Sequence, residues 1–380
     1  MKELYKNSHK MPWTINDAPH GLFDILRGCN CKCDACYNNA EFKMKTFEEV
    51  KADFEVMSSV RKISSAAIIG GEPLMHPELF KIIDFFKQKN LTVEILTNGV
   101  LLDEQMAEKL SEAGVDLVFL HIDTGQKRPD IKQNALKKEI DNLRTQKAKL
   151  LFDRGIETAM SITLGKNELD KDLAEYIDYF KKSPYINYFL LTLYKDLSNY
   201  GHFEGNLVQG ATGNYTEENE DAPKMEEITI HFKEKENMFP YWYMTGKYNK
   251  DYPRWVSYLY AAAYDKKGEL KCYQSMKYSK MEEKYLEKYK RKNGRYPFFK
   301  KQTGLMNFLF ILFNAVLGGY FIHNILFLIK SFGKRRILKR IFVQEPAYIN
   351  KDGKLEHCES CPDATVKNGK VVPVGVCDCF

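Results

Sequence analysis

From Ala66 to Tyr194 the chain alternates between two hydrophobic rhythms. The unbroken apolar stretch Ala66-Ala67-Ile68-Ile69 reads as a buried strand, and the segment Pro77 to Lys89 as a helix with proline in its first turn. Leu91 to Leu96 reads as the next strand, closed by Thr97-Asn98-Gly99, and Asp103 to Ala113 as the next helix. Val115 to Asp123 is a strand ending in His121-Ile122-Asp123. A basic helix over 127–154, a strand over Ile156 to Leu164, a helix over Leu169 to Lys181 and a strand over Tyr188 to Tyr194 complete the series. Strands alternating with helices of this length predict parallel βαβ units and an α/β fold. In such sheets ligands bind at the carboxyl ends of the strands.

Beyond residue 195 that rhythm stops. Residues 196–255 are rich in Tyr, Asn and Gly, with an acidic patch at 217–221, and Ile228 to Phe232 reads as a strand. Aromatics crowd Phe239 to Tyr243 and recur at Trp255, Tyr258 and Tyr260, as cavity lining or as plain core. Arg254 beside Trp255 is a candidate anion contact. A charge-free run from Leu305 to Ile329 is long enough for one membrane-spanning helix. Against a simple span stand Asn307, Asn314, His323 and Asn324, the Gly318-Gly319 break, and basic residues on both sides (Lys290 to Lys301, Lys330 to Arg340). The pattern favours a re-entrant or interfacial helical hairpin gripping anionic headgroups. A helical hairpin buried in a soluble domain is the alternative.

Composition adds chemistry. The chain has 380 residues, nine cysteines and a net charge of +6. No charged-then-apolar signal segment opens it, and the odd cysteine count in an apparently cytoplasmic chain suits metal binding better than disulfides. Nothing resembles a nucleic-acid module. Four cysteines fall between Cys29 and Cys36, and Cys29, Cys33 and Cys36 have the spacing C-x3-C-x2-C. A zinc knuckle favours two paired C-x2-C units, whereas this loop offers one pair and an outlier. Three thiolates on one short loop can hold three irons of a [4Fe–4S] cube and leave the fourth open to a small molecule. Cys31 lies inside the x3 gap and reads as a small buried bystander.

The Cys29/Cys33/Cys36 triad followed by Tyr37, with Gly70-Gly71-Glu72-Pro73 at the end of the next strand, resembles the radical S-adenosylmethionine (SAM) superfamily. The resemblance covers roughly residues 20–195 and implies a partial (β/α)6 barrel. It implies that the open iron chelates the amino and carboxylate groups of SAM, and that Gly70, Gly71, Glu72 and Pro73 supply acceptors for the amino group. Asn98, Asp123, Ser161 and Thr163 are further candidate SAM contacts, and Ser161 and Thr163 also read as plain β-formers. An electron donor such as flavodoxin or ferredoxin is implied.

Cys358 and Cys361, then Cys377 and Cys379, are brought towards one another by a hairpin over Val366 to Val371 with Asn-Gly at its turn. They form a candidate four-thiolate site for zinc or a second [4Fe–4S] cluster. The expected organisation is a core barrel over 1–195, an aromatic-rich substrate or connector region over 196–300, a membrane-interacting segment over 301–345 and a Cys-rich module over 346–380. The expected function is reductive cleavage of SAM to a 5′-deoxyadenosyl radical that takes hydrogen from a substrate C–H bond. The substrate would be a lipid, isoprenoid or lipid-linked molecule, and the protein would sit at the inner face of the membrane. The rivals are a soluble enzyme modifying a peptide or protein, and a membrane-attached iron–sulfur electron carrier.

Overall fold

The computed structural model describes residues 3–33, 36, 42–165, 168–169, 171–194, 203–204, 207–208, 223–298, 301–318, 320–350, 352 and 354–375. Six strands run parallel in chain order: β1 (His20–Leu26), β2 (Ser65–Gly70), β3 (Thr92–Thr97), β4 (Leu117–His121), β5 (Glu157–Leu164) and β6 (Tyr188–Leu193). Between them lie α1 (Phe47–Val60), α2 (Leu79–Gln88), α3 (Glu104–Glu112), α4 (Lys137–Asp153) and α5 (Asp172–Lys182). The strands are buried on both faces, which is why their sequences read as continuous apolar runs. One face, with Ile68, Val93, Ile95, Val118, Leu120 and Met160, packs against the helices. The other is the concave interior, where Phe119, Leu190, Trp242 and Phe342 meet.

The sheet continues past β6 in an order that the sequence did not suggest. After α6 (Met225–Lys235), β7 (Pro240–Thr245), β8 (Pro253–Tyr264), β9 (Leu270–Ser275) and α7 (Lys280–Asn293), the chain forms the hairpin α8 (Gly304–Leu317) and α9 (Phe321–Lys330). It then returns as β10 (Arg335–Gln344), parallel to β6 and antiparallel to β8, so one sheet runs from β1 through β6 and β10 to β8 and β7. Lys339 of β10 is fully buried and donates to the carbonyls of Phe180 and Ser183 at 2.5 and 2.7 Å, which nails the returning strand to α5. The chain ends in the antiparallel pair β11 (Ala364–Lys367) and β12 (Lys370–Pro373), turning at Asn368 and Gly369 with φ of 50° and 71°, the positive values that a tight Asn-Gly turn requires.

Two readings are corrected. Ile228 to Phe232 is not a strand but lies within α6: Met225, Ile228, Thr229 and Phe232 are buried at helical spacing, and the β-branched residues misled because packing overrides propensity. The basic helix begins at Lys137 rather than Lys127; Gln126–Lys127 instead pair with Lys32–Cys33.

Candidate active site

The loop carrying the cysteines leaves the carboxyl end of β1 and is clamped by the turn that ends β2. Gly71 N donates to Leu26 O at 2.5 Å and Glu72 N to Gly28 O at 2.9 Å. A side-chain carbon at Gly70 would strike the carbonyl of Leu26, and one at Gly71 the carbonyl of Gly28 and Cβ of Cys29. The two glycines are therefore demanded by the crossing of two backbones.

Cys29 is exposed, Cys33 and Cys36 are half-buried, and Cys31 is buried. Burial pushes the Cys31 thiol up to about 12, which keeps it a protonated core residue. Burial, together with the neighbouring Cys36 and Cys29, pushes Cys33 up to about 11, against the lowering effect of the Gln126 side chain. Asn98 Nδ2 lies 3.5 Å from Cys29 Sγ, and Gln126 Nε2 donates to Cys33 Sγ at 3.3 Å. Among the described residues no three metal-binding side chains share one ion's coordination sphere. Thiolates capping three different irons of a cube need not do so. Cys29 and Cys36 lie within electrostatic reach of Cys33, and amide groups meet two of the three sulfurs, a donor set that fits an open [4Fe–4S] cube.

Around this loop the predicted contacts fall into two groups. Glu72 is fully buried; its Oε1 accepts from Leu74 N (3.0 Å) and Thr97 Oγ1 (2.6 Å), and its Oε2 from Asn98 N (2.8 Å). Burial raises its pKa, and those three donors pull it back. Asp123 likewise braces the rim: Oδ2 accepts Thr163 N at 2.9 Å and Oδ1 accepts Thr124 N at 2.7 Å. Asn98 Nδ2 also holds Asn30 Oδ1 at 2.7 Å. Pro73 opens a 3-10 turn capped by Glu72. Ser161 and Thr163 stay half-buried near the carboxyl end of β5, on the face that carries Leu190 into the interior. His121, paired in register with Ser161, donates Nδ1–H to the Ser161 carbonyl at 3.2 Å, and burial lowers its pKa. Tyr37 lies outside the described residues.

Two residues that the sequence reading passed over organise the site. Arg128 is buried; its guanidinium binds both oxygens of Asp130 (3.0 and 2.9 Å), the Asn98 carbonyl (2.8 Å) and Gln126 Oε1 (2.9 Å). Gln126 Oε1 also accepts Asp123 N at 3.0 Å, so its amide is oriented with the NH2 towards Cys33. The available signal was the polar run Gln126-Lys127-Arg128 just beyond a strand's carboxyl end. Arg254, by contrast, is fully buried and paired with Glu345 at 3.3 Å.

The second cysteine pair lies elsewhere. Cys358 and Cys361 are buried within hydrogen-bond reach of one another, and that contact, with burial, drives the Cys361 thiol up. Arg61 ties this segment to the amino-terminal end of β1, donating to Pro362 O (3.1 Å) and His20 O (2.8 Å). Seven residues of strand, about 20 Å, separate His20 from the end that bears Cys29. Cys377 and Cys379 lie outside the described residues.

A parallel α/β sheet with a three-cysteine loop at its strand carboxyl ends defines the class. Residues 24–180 match the radical SAM superfamily, a domain that implies a [4Fe–4S] cluster and SAM. It is 34% identical over 122 residues to the Fe-coproporphyrin III synthase of Methanosarcina barkeri, covering 30% of each chain. It is 33% identical over 175 residues to a probable GTP 3′,8-cyclase of Methanococcus vannielii, covering 42% of this chain and 53% of the relative. The matched region thus spans 30% and 53% of these two relatives. The structure of Streptococcus suis SuiB bound to S-adenosylmethionine aligns with 48% of this chain and 42% of its own at a TM-score of 0.39 and 18% identity.

Proposed function

We propose that this chain binds SAM at the open iron of a [4Fe–4S] cluster held by Cys29, Cys33 and Cys36 and directs a 5′-deoxyadenosyl radical at a substrate C–H bond. The cluster, when bound, supplies the electron that cleaves SAM to methionine and that radical. The carrying observation is the clamp of the Gly70-Gly71-Glu72 turn on the cysteine loop, which supports a reading in which the cluster would sit beside the mouth of the barrel. Asn98 and Gln126 orient two of the sulfurs, while Ser161 and Thr163 offer hydroxyls on the interior wall. Apolar interior residues such as Phe119, Leu190 and Phe342 keep water from the radical's path.

The substrate fitting this chain best is a lipid, isoprenoid or lipid-linked molecule. That reading draws on the apolar hairpin inserted between β9 and β10 of the barrel sheet. The test is anaerobic: reconstituted, dithionite-reduced protein is given SAM, and 5′-deoxyadenosine is measured with and without a membrane lipid extract. Release of 5′-deoxyadenosine that disappears in the Cys29/Cys33/Cys36→Ala variant is expected, with stimulation by the lipid extract. A reduced, iron-loaded protein that releases none is an electron carrier, and the proposal falls.

A further inference from the structure

The α8–α9 hairpin carries apolar residues on both of its sides. Its inward side packs Ile311, Ala315 and Phe327 against the body and holds three asparagines: Asn307 Nδ2 donates to Gln302 Oε1 and Arg336 O (both 3.0 Å), Asn314 Nδ2 to Lys277 O (2.7 Å) and Asn324 Nδ2 to Asn314 Oδ1 (3.0 Å). Its outward residues are apolar but for His323 and the terminal Lys330. Leu305 is 69% exposed, Ile322 68% and Phe332, in the turn after α9, 84%; Leu309, Val316, Phe321 and Ile329 are also more than half exposed. A helix pair facing water carries polar residues on its outer side. The contiguous apolar surface exceeds what scattered surface leucines produce.

Neither helix can span a bilayer. The longer has 14 residues, about 21 Å at 1.5 Å per residue, against a hydrocarbon core of about 30 Å. Among the described residues no helix is long and apolar enough to cross a membrane. The hairpin instead lies along β9 and β10, with its apolar side turned away from the sheet.

Charge selects the occupant. Between Glu287 and Glu345 the sequence contains no Asp or Glu. Lys301 and Lys330 are exposed at the outer ends of the two helices, with Lys334, Arg335 and Arg336 just beyond. Not every basic residue of the flanks contributes: Lys339 is buried, and Lys290 is paired with Asp17 at 2.6 Å. We infer that the outer face of the α8–α9 hairpin docks side-on into the headgroup layer of an anionic bilayer, its apolar side chains entering the acyl boundary and its basic rim meeting the lipid phosphates. The inference deepens the lipid-substrate reading and rests on it for the choice of a bilayer.

Full-length protein mixed with vesicles of phosphatidylcholine, alone or with phosphatidylglycerol, tests it by flotation. Binding to the anionic vesicles at least about tenfold above the neutral ones is expected, weakening with added salt. The double variant Leu309→Ser/Ile322→Ser should lose about tenfold or more in partitioning while keeping its melting temperature and its lipid-free release of 5′-deoxyadenosine. A Phe332→Trp variant should show a blue-shifted emission on vesicle addition. The inference is overturned if the wild type ignores both vesicles, if the double variant binds as well as the wild type, or if the outer face instead holds a second copy in a dimer that floats with neither vesicle. Vesicle binding without lipid-stimulated turnover would sink the substrate reading and leave the docking intact. Lipid-stimulated turnover by a protein that does not float would do the reverse.

Discussion

Replacing Glu72 by alanine separates a structural role from a ligand role. The carboxylate is fully buried and satisfies two backbone N–H groups, those of Leu74 and Asn98, besides the Thr97 hydroxyl. Truncation strands both backbone donors in a site closed to water, and each costs about 1–3 kcal/mol. The sum is about 2–6 kcal/mol, a large share of the 5–15 kcal/mol that holds a typical protein together. With an unfolding entropy of about 2.1 cal/mol/K per residue, 380 residues give about 0.8 kcal/mol/K, so the melting temperature should fall by about 3–8 °C. Glu72→Gln keeps one acceptor but turns its NH2 towards one of the donors, and should lose about half as much. Differential scanning calorimetry on the anaerobic protein, with equilibrium dialysis of SAM beside it, reads both quantities. If Glu72 serves only the SAM amino group, Glu72→Ala will melt within 1 °C of wild type and lose SAM affinity alone. That result would refute the reasoning.

Gly71→Ala should displace the cysteine loop, because the new methyl group meets the Gly28 carbonyl and Cys29 Cβ; an overpacking cost of about 1–3 kcal/mol and a loss of iron after reconstitution are expected, by calorimetry and iron counting. Gln126→Leu removes the donor to Cys33 Sγ and should lower the cluster's reduction potential by on the order of tens of millivolts in a spectroelectrochemical titration; an unchanged potential would break the assignment. Glu94, raised to about 8, and Asp363, raised to about 7, both through burial, contribute stability that is present below the normal carboxylate range and lost as pH rises through those values. His20, lowered to about 3 by burial, has the opposite slope, but only below its ordinary value of 6.5. The melting temperature should therefore fall between pH 6.5 and 8, and Glu94→Gln should flatten that fall.

The legible part of this molecule was its repeating part. Each βαβ unit declares itself through local periodicity, so the strands over 66–194 and the helices between them could be placed from sequence with errors confined to their ends. The seventh parallel strand, β10, could not, because its partner β6 lies 152 residues earlier at the Tyr188–Arg340 pair and nothing local marks that register. The same limit explains the site. Cys29, Cys33 and Cys36 announce themselves by spacing, and Gly70-Gly71 by composition. What the glycines accommodate is a second backbone from 43 and 44 residues away, and only the folded chain shows that the loop and the turn need one another.

Arg128 and Gln126 were missed for a related reason: a buried guanidinium and an oriented amide look like surface residues until their partners are known. The hairpin gives the converse lesson. Asn307 and Asn314 seemed to weaken an apolar segment, yet they bind it to the body of the protein, while Asn324 ties the two helices together and the greasy face is left outward. The three buried asparagines thus mark the side that faces protein, and the remaining side is the one whose solvent has to be explained.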